Sequence, residues 1–264
     1  MATTTDRPAD MVPTRRDGAV ALLTLDFPAK RNAFCLQMRT QLRDRLEAAM
    51  GDAEVRAIVI TGAGGHFCAG GDISEMATRT LLQNRERWEL VTALIRLIAL
   101  GPKPVVVAVE GFAMGAGLSI AALGDYVVAS RDARFGAAFL KVGLMPDMGV
   151  LWSLQHRVGR AKAREILGLA RTFDGAEAGR IGLANEVAEP GQALPQALAV
   201  AREYAQLPPV AQALLKSALS QGVDDLHAAI RTEVEFQAVA MGTQDHAEAV
   251  RAFTEKRLPV FEGR

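Results

Sequence analysis

The sequence predicts an α/β fold in which a mixed or parallel sheet is covered by helices, and three observations carry that expectation. Two β-branched runs, Arg56 to Thr61 (RAIVIT) and Val105 to Val109 (VVVAV), have unbroken apolar centres, the pattern of strands buried on both faces. The second run passes through Gly111, Gly115 and Gly117 into an apolar stretch, Leu118 to Leu123, that reads as a helix, with another strand behind it. Strand, helix, strand in that order places helices outside the sheet. Beyond Pro190 the pattern becomes almost wholly helical.

Taken in order, residues 1–10 are polar and are expected to form a flexible tail. The Asp17-Gly18 turn then precedes a strand over 19–25, which should pair with residues near 12–16. A loop through Pro28 and Asn32 leads into a helix from about Leu36 to Met50, with Leu42, Leu46 and Ala49 on one face. The strand ending at Thr61 runs straight into GAGGHFCAGGD, so rich in glycine that its backbone must do what side chains cannot. A helix is expected from about Ile73 to Leu100, stopped by Gly101-Pro102. Later helices are expected over 157–169, 175–181, 193–207, 211–219, 225–240 and 246–256, with a short strand at 186–188. This gives a core domain over 11–190 and a helical region over 191–264 that offers an oligomerisation surface.

At 264 residues and 28.2 kDa the chain is long enough for one large core. Thirty basic residues balance thirty acidic ones, so nothing marks a nucleic-acid-binding field, and small molecules or further copies of the chain are the expected partners. The run 105–123 is interrupted by Glu110 and by glycines and is read as protein core, so no membrane segment is expected. The start of the chain has no apolar signal segment, and Cys35 and Cys68 give no disulfide framework, which suits a reducing cytoplasm. His66 and Cys68 stand two apart without a second ligand pair, so no metal site is expected.

The chemistry starts at the glycines. A helix beginning near Ala116 presents unpaired N–H groups and the positive end of its dipole, which suits a carbonyl oxygen gaining charge; the same run also fits a tightly packed strand-to-helix turn. Neither glycine cluster meets GxGxxG, since Ile120 and Phe67 stand at the third glycine position, and no GK[ST] follows. Lys30 and Arg31 fit either a solvated basic pair or a phosphate contact.

HFCAGGDISEM at 66–76 and KPVVVAVEGFAMGAGLSIAALGD at 103–125, followed by VGRAKAREILGLARTFDGAEAGRIGLANEV and AEAVRAFTEKRLPVF, together resemble the crotonase, or enoyl-CoA hydratase/isomerase, superfamily from about Val20 to Phe261. The resemblance implies a β-β-α spiral core with a helical C-terminal trimerisation region, assembled as a homotrimer or dimer of trimers. It implies an acyl-CoA substrate and no cofactor beyond the coenzyme A that carries the acyl group. Its two oxyanion donors fall on the N–H groups of Gly71 and Ala116, where an enolate-like oxygen would be stabilised by several kcal/mol. Adenine and pantetheine contacts fall on Ala69, Asp72, Ile73 and Ser74, and CoA phosphate contacts on Lys30 and Arg31 near Ala33. A second subunit's tail would contribute Phe253 and Lys256.

The departures from the family pattern set the expected reaction. The two glutamates with which hydratases of this family activate water fall on Ser119 and Phe139, neither of which acts as a general base near neutral pH. Asp147, in KVGLMPDMG, matches the catalytic aspartate of isomerases in the phenylacetate-degradation branch and of related aryl-CoA dehalogenases. The AF dipeptide at 138–139 suits the isomerase branch, and the dehalogenase tryptophan is missing. The same Pro-Asp pair also fits a turn cap ahead of a helix near Val150. The expected activity is therefore acyl-CoA double-bond isomerisation with Asp147 as acid/base. An atypical hydratase and a catalytically degenerate acyl-CoA-binding paralogue remain as alternatives. Met76, Trp88, Phe139 and Trp152 are the expected pocket wall, and Glu110 and Glu75 the substitute bases.

Overall fold

The computed structural model describes residues 9–76, 80–222 and 225–264, so eight of the ten residues of the expected flexible tail lie outside the described residues. In chain order the elements are β1 (Thr14–Asp17), β2 (Val20–Leu25), α1 (Leu36–Gly51), β3 (Ala57–Gly62), α2 (Leu81–Leu100), β4 (Val105–Val109), β5 (Phe112–Met114), α3 (Ala116–Leu123), β6 (Tyr126–Ser130) and β7 (Arg134–Gly136). They continue with α4 (Val150–Val158), α5 (Arg160–Gly168), β8 (Thr172–Asp174), α6 (Gly175–Arg180), β9 (Glu186–Ala188), α7 (Ala193–Ala205), α8 (Pro209–Gln221), α9 (Leu226–Met241) and α10 (Gln244–Glu255).

Among the described residues the strands form a six-stranded sheet in the order β1-β2-β3-β4-β6-β9 and a three-stranded sheet in the order β5-β7-β8. Only the β1–β2 pair of the larger sheet is antiparallel; Leu23 pairs with Ile60 and Val107 with Val127 in the parallel part. Alternation along each strand gives the large sheet two buried faces, which is why its strands read as unbroken apolar runs. One face, with Leu23, Leu25, Ile58, Ile60, Val105, Val107 and Val127, packs with Met38, Leu42 and Leu46 of α1 and with α3. The other, with Val20, Val59, Val106, Ala108 and Val128, is covered by Ala193, Ala197 and Ala201 of α7. Each such valine or leucine side chain contributes about 1.5–3 kcal/mol by leaving water. Although α7 lies past residue 190, it packs in the same core as the strands. Glu110 fastens it, accepting from the Ala193 N–H at 3.0 Å.

Three expectations change. The helix expected from Ile73 is instead a 3-10 turn at Ile73–Glu75, because the Asp72 carboxylate accepts from the Ser74 N–H; residues 77–79 lie outside the described residues. Helix α2 begins afresh at Thr80, where Thr80 and Gln83 form a capping box. The helix expected over 157–169 is divided by Gly159, whose φ of 77° ends α4 and starts α5. Strands β5, β7 and β8 were not expected at all. Each has three residues, too few for a period-2 pattern to show. No helix among the described residues is long and apolar enough to cross a membrane.

Candidate functional site

The glycine-rich loop after β3 is stitched between two neighbours. Phe67 and Cys68 donate to Glu110 and Phe112 carbonyls, and Met114 donates back to Cys68 at 2.9 Å. On the other side Ala69 donates to Arg31, and Phe34 donates to Gly70 at 2.7 Å. Buried Asn32 ties the first part of the loop to the segment before α1: its Oδ1 accepts from Phe27 N–H, and its Nδ2 donates to Ala63 and His66 carbonyls. Asn32 has a φ of 58°, a conformation asparagine tolerates better than most side chains.

This stitching brings the loop against the start of α3. A Cβ on Gly70 would lie 3.0 Å from the Met114 carbonyl oxygen, and one on Gly115 would lie 3.8 Å from the Gly70 Cα. Gly70 and Gly115 also have φ values of 101° and 50°, so both glycines are required by conformation, and Gly70 by space as well. Next to them, Gly71 and Ala116 line one open cleft of about 660 Å³. Among the described residues no protein acceptor pairs with either N–H.

Asp147 lines the same cleft and is half-buried. Burial pushes its carboxyl above the ordinary carboxylate range, and the charges of Arg39 and Arg87 pull against that rise. It does not cap α4. Gly149 is the N-cap residue, without any side-chain cap bond, and Asp147 contributes its main-chain carbonyl, which accepts from Val150 N–H at 3.3 Å and from the Ser119 hydroxyl at 3.0 Å. The remaining wall is largely apolar: Ile73, Met76, Trp88, Val91, Phe139, Val142, Leu144 and Met148. Trp152, expected there, does not line the cleft; its ring lies 4.5 Å from that of His156, tilted by 38°. It sits one turn along α4 from the loop, and helix geometry turns it outward.

Of the other named residues, Ala69 lines the cleft with Ile73, while Asp72 and Ser74 meet Lys30 beside it. Lys30 Nζ lies 3.0 Å from the Asp72 carboxylate and 3.1 Å from Ser74 Oγ. Burial raises the Asp72 carboxyl, but the hydrogen bonds from Ser74 and Lys30 outweigh it and hold the group below its ordinary range. Arg31 is exposed, with its guanidinium 5.2 Å from the Phe112 ring centre, and Ala33 is buried behind Lys30. Phe253 and Lys256 are exposed on and just after α10 and do not line this chain's cleft. Glu110 is committed to α7, and Glu75 accepts from Leu36 N–H at 2.8 Å at the start of α1. His66 stacks on Phe112 at 4.8 Å, and burial pushes the Cys68 thiol up to about 12.

Sequence reasoning missed Arg39. It lies on α1 next to Met38 and three residues before Leu42, on the inward stripe, and is only 8% exposed. A cation on an apolar helical stripe was the available signal.

Fold and cleft together define a crotonase-type α/β protein. The chain belongs to the enoyl-CoA hydratase/isomerase family, whose model matches residues 15–264. It is 35% identical over 244 residues to a short-chain-enoyl-CoA hydratase of Clostridium acetobutylicum, covering 92% of this chain and 94% of that protein. It is 34% identical over 252 residues to the 1,2-epoxyphenylacetyl-CoA isomerase of Escherichia coli, covering 93% and 95%. The crystal structure of an enoyl-CoA hydratase from Bacillus anthracis superposes with a TM-score of 0.91 at 27% identity, over 97% of this chain and 100% of that one.

Proposed function

We propose that the protein isomerises the double bond of an unsaturated or ring-derived acyl-CoA, with Gly71 and Ala116 holding the thioester oxygen and Asp147 moving the proton. The observation that carries this reading is the position of Asp147, the only acid among the described residues lining the cleft, which it shares with two amides without protein acceptors. Ionised Asp147 takes the α-proton of a β,γ-unsaturated thioester. The electron pair moves toward the thioester oxygen, where the two amides stabilise the dienolate by several kcal/mol. The carboxylic acid so formed returns its proton at the γ-carbon, the double bond comes to rest at α,β, and Asp147 is a carboxylate again. Neither water nor a cofactor enters, and coenzyme A serves only as the carrier. Lys30, Arg31 and Ala33, with Ala69, Asp72, Ile73 and Ser74, form the coenzyme subsite. Phe253 and Lys256 reach a neighbouring subunit's coenzyme in a homotrimer or dimer of trimers working in the cytoplasm.

Hydration is the second reading, favoured by the name of the Clostridium acetobutylicum relative. The deciding experiment gives the protein a panel of unsaturated and aromatic acyl-CoAs and follows double-bond position together with incorporation of labelled water. Asp147→Asn keeps the size of the side chain and removes its basicity, so isomerisation falls by ~10²-fold or more while CoA-ester affinity stays near the parent's. Parental exchange of the substrate's α-proton with deuterated water in that variant would overturn the assignment.

A further inference from the structure

Arg39 is out of keeping with the wall it lines. Its side chain is buried, its Nε donates to the Phe34 carbonyl at 3.1 Å, and its guanidinium lies 5.4 Å from the Phe34 ring centre. These contacts fix the stem and orient the fork. The two terminal nitrogens, by contrast, have no hydrogen-bond acceptor among the described residues. One of them lies 3.6 Å from where a Cβ on Gly71 would stand, which brings it to the part of the cleft beside the Gly71 amide. Asp147 lines the same cleft, and among the described residues it forms no ion pair with Arg39, so neither charge is used up by the other.

The two terminal nitrogens face the open cleft and are left to solvent, and an apolar acyl chain filling the cleft would take that water away at a cost. A hydrocarbon substrate would therefore bind against that cost, whereas one bearing an oxygen would relieve it. Arginine's planar fork matches a carboxylate with two parallel bonds and a carbonyl with one. The short separation from Gly71 fixes where that oxygen stands: it must be within a few bonds of the thioester carbon held at the same amide.

We propose that Arg39 reads the acyl group, and that the cleft takes thioesters whose acyl chain carries an oxygen acceptor, a carboxylate or a ketone, close to the thioester. This rests on the acyl-CoA reading of the cleft and names the substrate class within it. Burial lowers the guanidinium's proton affinity and nearby Arg87 adds to that, while Glu75 and Asp147 oppose it; an anionic ligand joins the second pair.

The test is equilibrium binding, which needs no turnover. Butyryl-CoA, acetoacetyl-CoA and succinyl-CoA present four-carbon acyl groups with no further oxygen, a ketone or a carboxylate, and their affinities are measured by calorimetry on the parent, Arg39→Met and Arg39→Lys. The parent is expected to favour acetoacetyl-CoA or succinyl-CoA over butyryl-CoA by roughly tenfold or more, the scale of a hydrogen bond to a charged group. Whichever of the two leads identifies the ketone or the carboxylate as the group read. Arg39→Met should erase the preference, tightening butyryl-CoA as the desolvation cost goes and weakening whichever oxygenated ligand led, and Arg39→Lys should keep part of it. Equal affinity of the parent for all three overturns the proposal without any variant, and so does an equal loss for all three in Arg39→Met, which would assign the guanidinium to the shared thioester. Failure of all three to bind the parent would overturn the acyl-CoA reading itself. A thermal melt on each variant confirms that a folded protein was measured.

Discussion

The Ser119 hydroxyl, wholly buried in α3, donates at 3.0 Å to the main-chain carbonyl of Asp147. The Gly115 carbonyl lies 3.3 Å from the same hydroxyl, whose single proton favours the shorter partner. A position that the family pattern gives to a glutamate thus ties the Asp147 loop to the helix that begins at Ala116. Ser119→Ala removes that tie and leaves only Val150 N–H on the carbonyl. The expected cost is about 1 kcal/mol of stability, a fall of roughly 2–4 °C in Tm. The rate should fall several-fold with KM little changed, because the loop loses its position while the coenzyme subsite keeps its own contacts. A parental rate in a variant that melts lower would separate the tie from catalysis.

The raised Asp147 carboxyl predicts two pH effects with definite signs. As the base of the proposed reaction it must be ionised, so the acid limb of the rate profile should lie above the ordinary carboxylate value and vanish in Asp147→Asn. For stability, a carboxyl whose folded pKa exceeds its unfolded one favours folding while protonated. That contribution is complete below the unfolded pKa and is lost as pH rises through the folded one. Asp147→Asn should therefore melt above the parent at pH 7 and converge with it near about pH 3. A variant that melts below the parent at pH 7 would contradict the burial cost on which both effects depend.

The large sheet was legible because its strands are buried on both faces, and a buried β-branched run such as 105–109 has few other interpretations. Helix α3 and its neighbouring glycines were legible because they combine two local signals. The three-residue strands of the second sheet were not, since what places them is pairing across the fold, Phe112 with Arg134 and Phe135 with Phe173, and not their composition. In the cleft, Gly71, Ala116 and Asp147 could be named from motifs, whereas Arg39 was visible only as a cation on the apolar stripe of α1. Its importance lies in the acceptor it lacks, a property of three-dimensional surroundings that no spacing encodes. Lys30 was found as a charge and missed as a partner: nothing in the sequence joins it to Asp72, 42 residues away.

That pairing refines what the coenzyme subsite should show. Lys30 is already partly neutralised by Asp72, whereas Arg31 stands exposed and forms no ion pair among the described residues, its guanidinium lying over the Phe112 ring. Both Lys30→Ala and Arg31→Ala should weaken CoA binding, but the salt dependence should flatten more in Arg31→Ala, since screening over roughly 8 Å at physiological ionic strength acts on exposed charge. Titrations at low and high salt measure both slopes. Parental affinity at low salt in the two variants would remove the phosphates from this corner.

Several apolar residues of the last helices are exposed among the described residues. Leu215 of α8 borders a groove with Phe236 and Ala240 of α9, Leu219 and Val234 are exposed on the same two helices, and Phe253 of α10 is 87% exposed. Helices that turn such residues outward in a monomer hide them in an assembly, and an obligate assembly buries far more apolar surface than a transient contact. Sedimentation at micromolar concentration should therefore give a trimer or hexamer. Leu215→Glu combined with Val234→Glu should shift it toward monomer, because each introduces a charge that an interface would have to desolvate. The parent's cleft is built from residues before 150, so coenzyme binding by the dissociated variant reports separately on the second subunit. If Phe253 and Lys256 reach a neighbour's coenzyme, affinity should fall on dissociation, and Phe253→Ala in the intact assembly should reproduce part of that fall. A folded parent that sediments as a monomer at that concentration would leave the exposed face without its expected partner and would return the coenzyme subsite to a single chain.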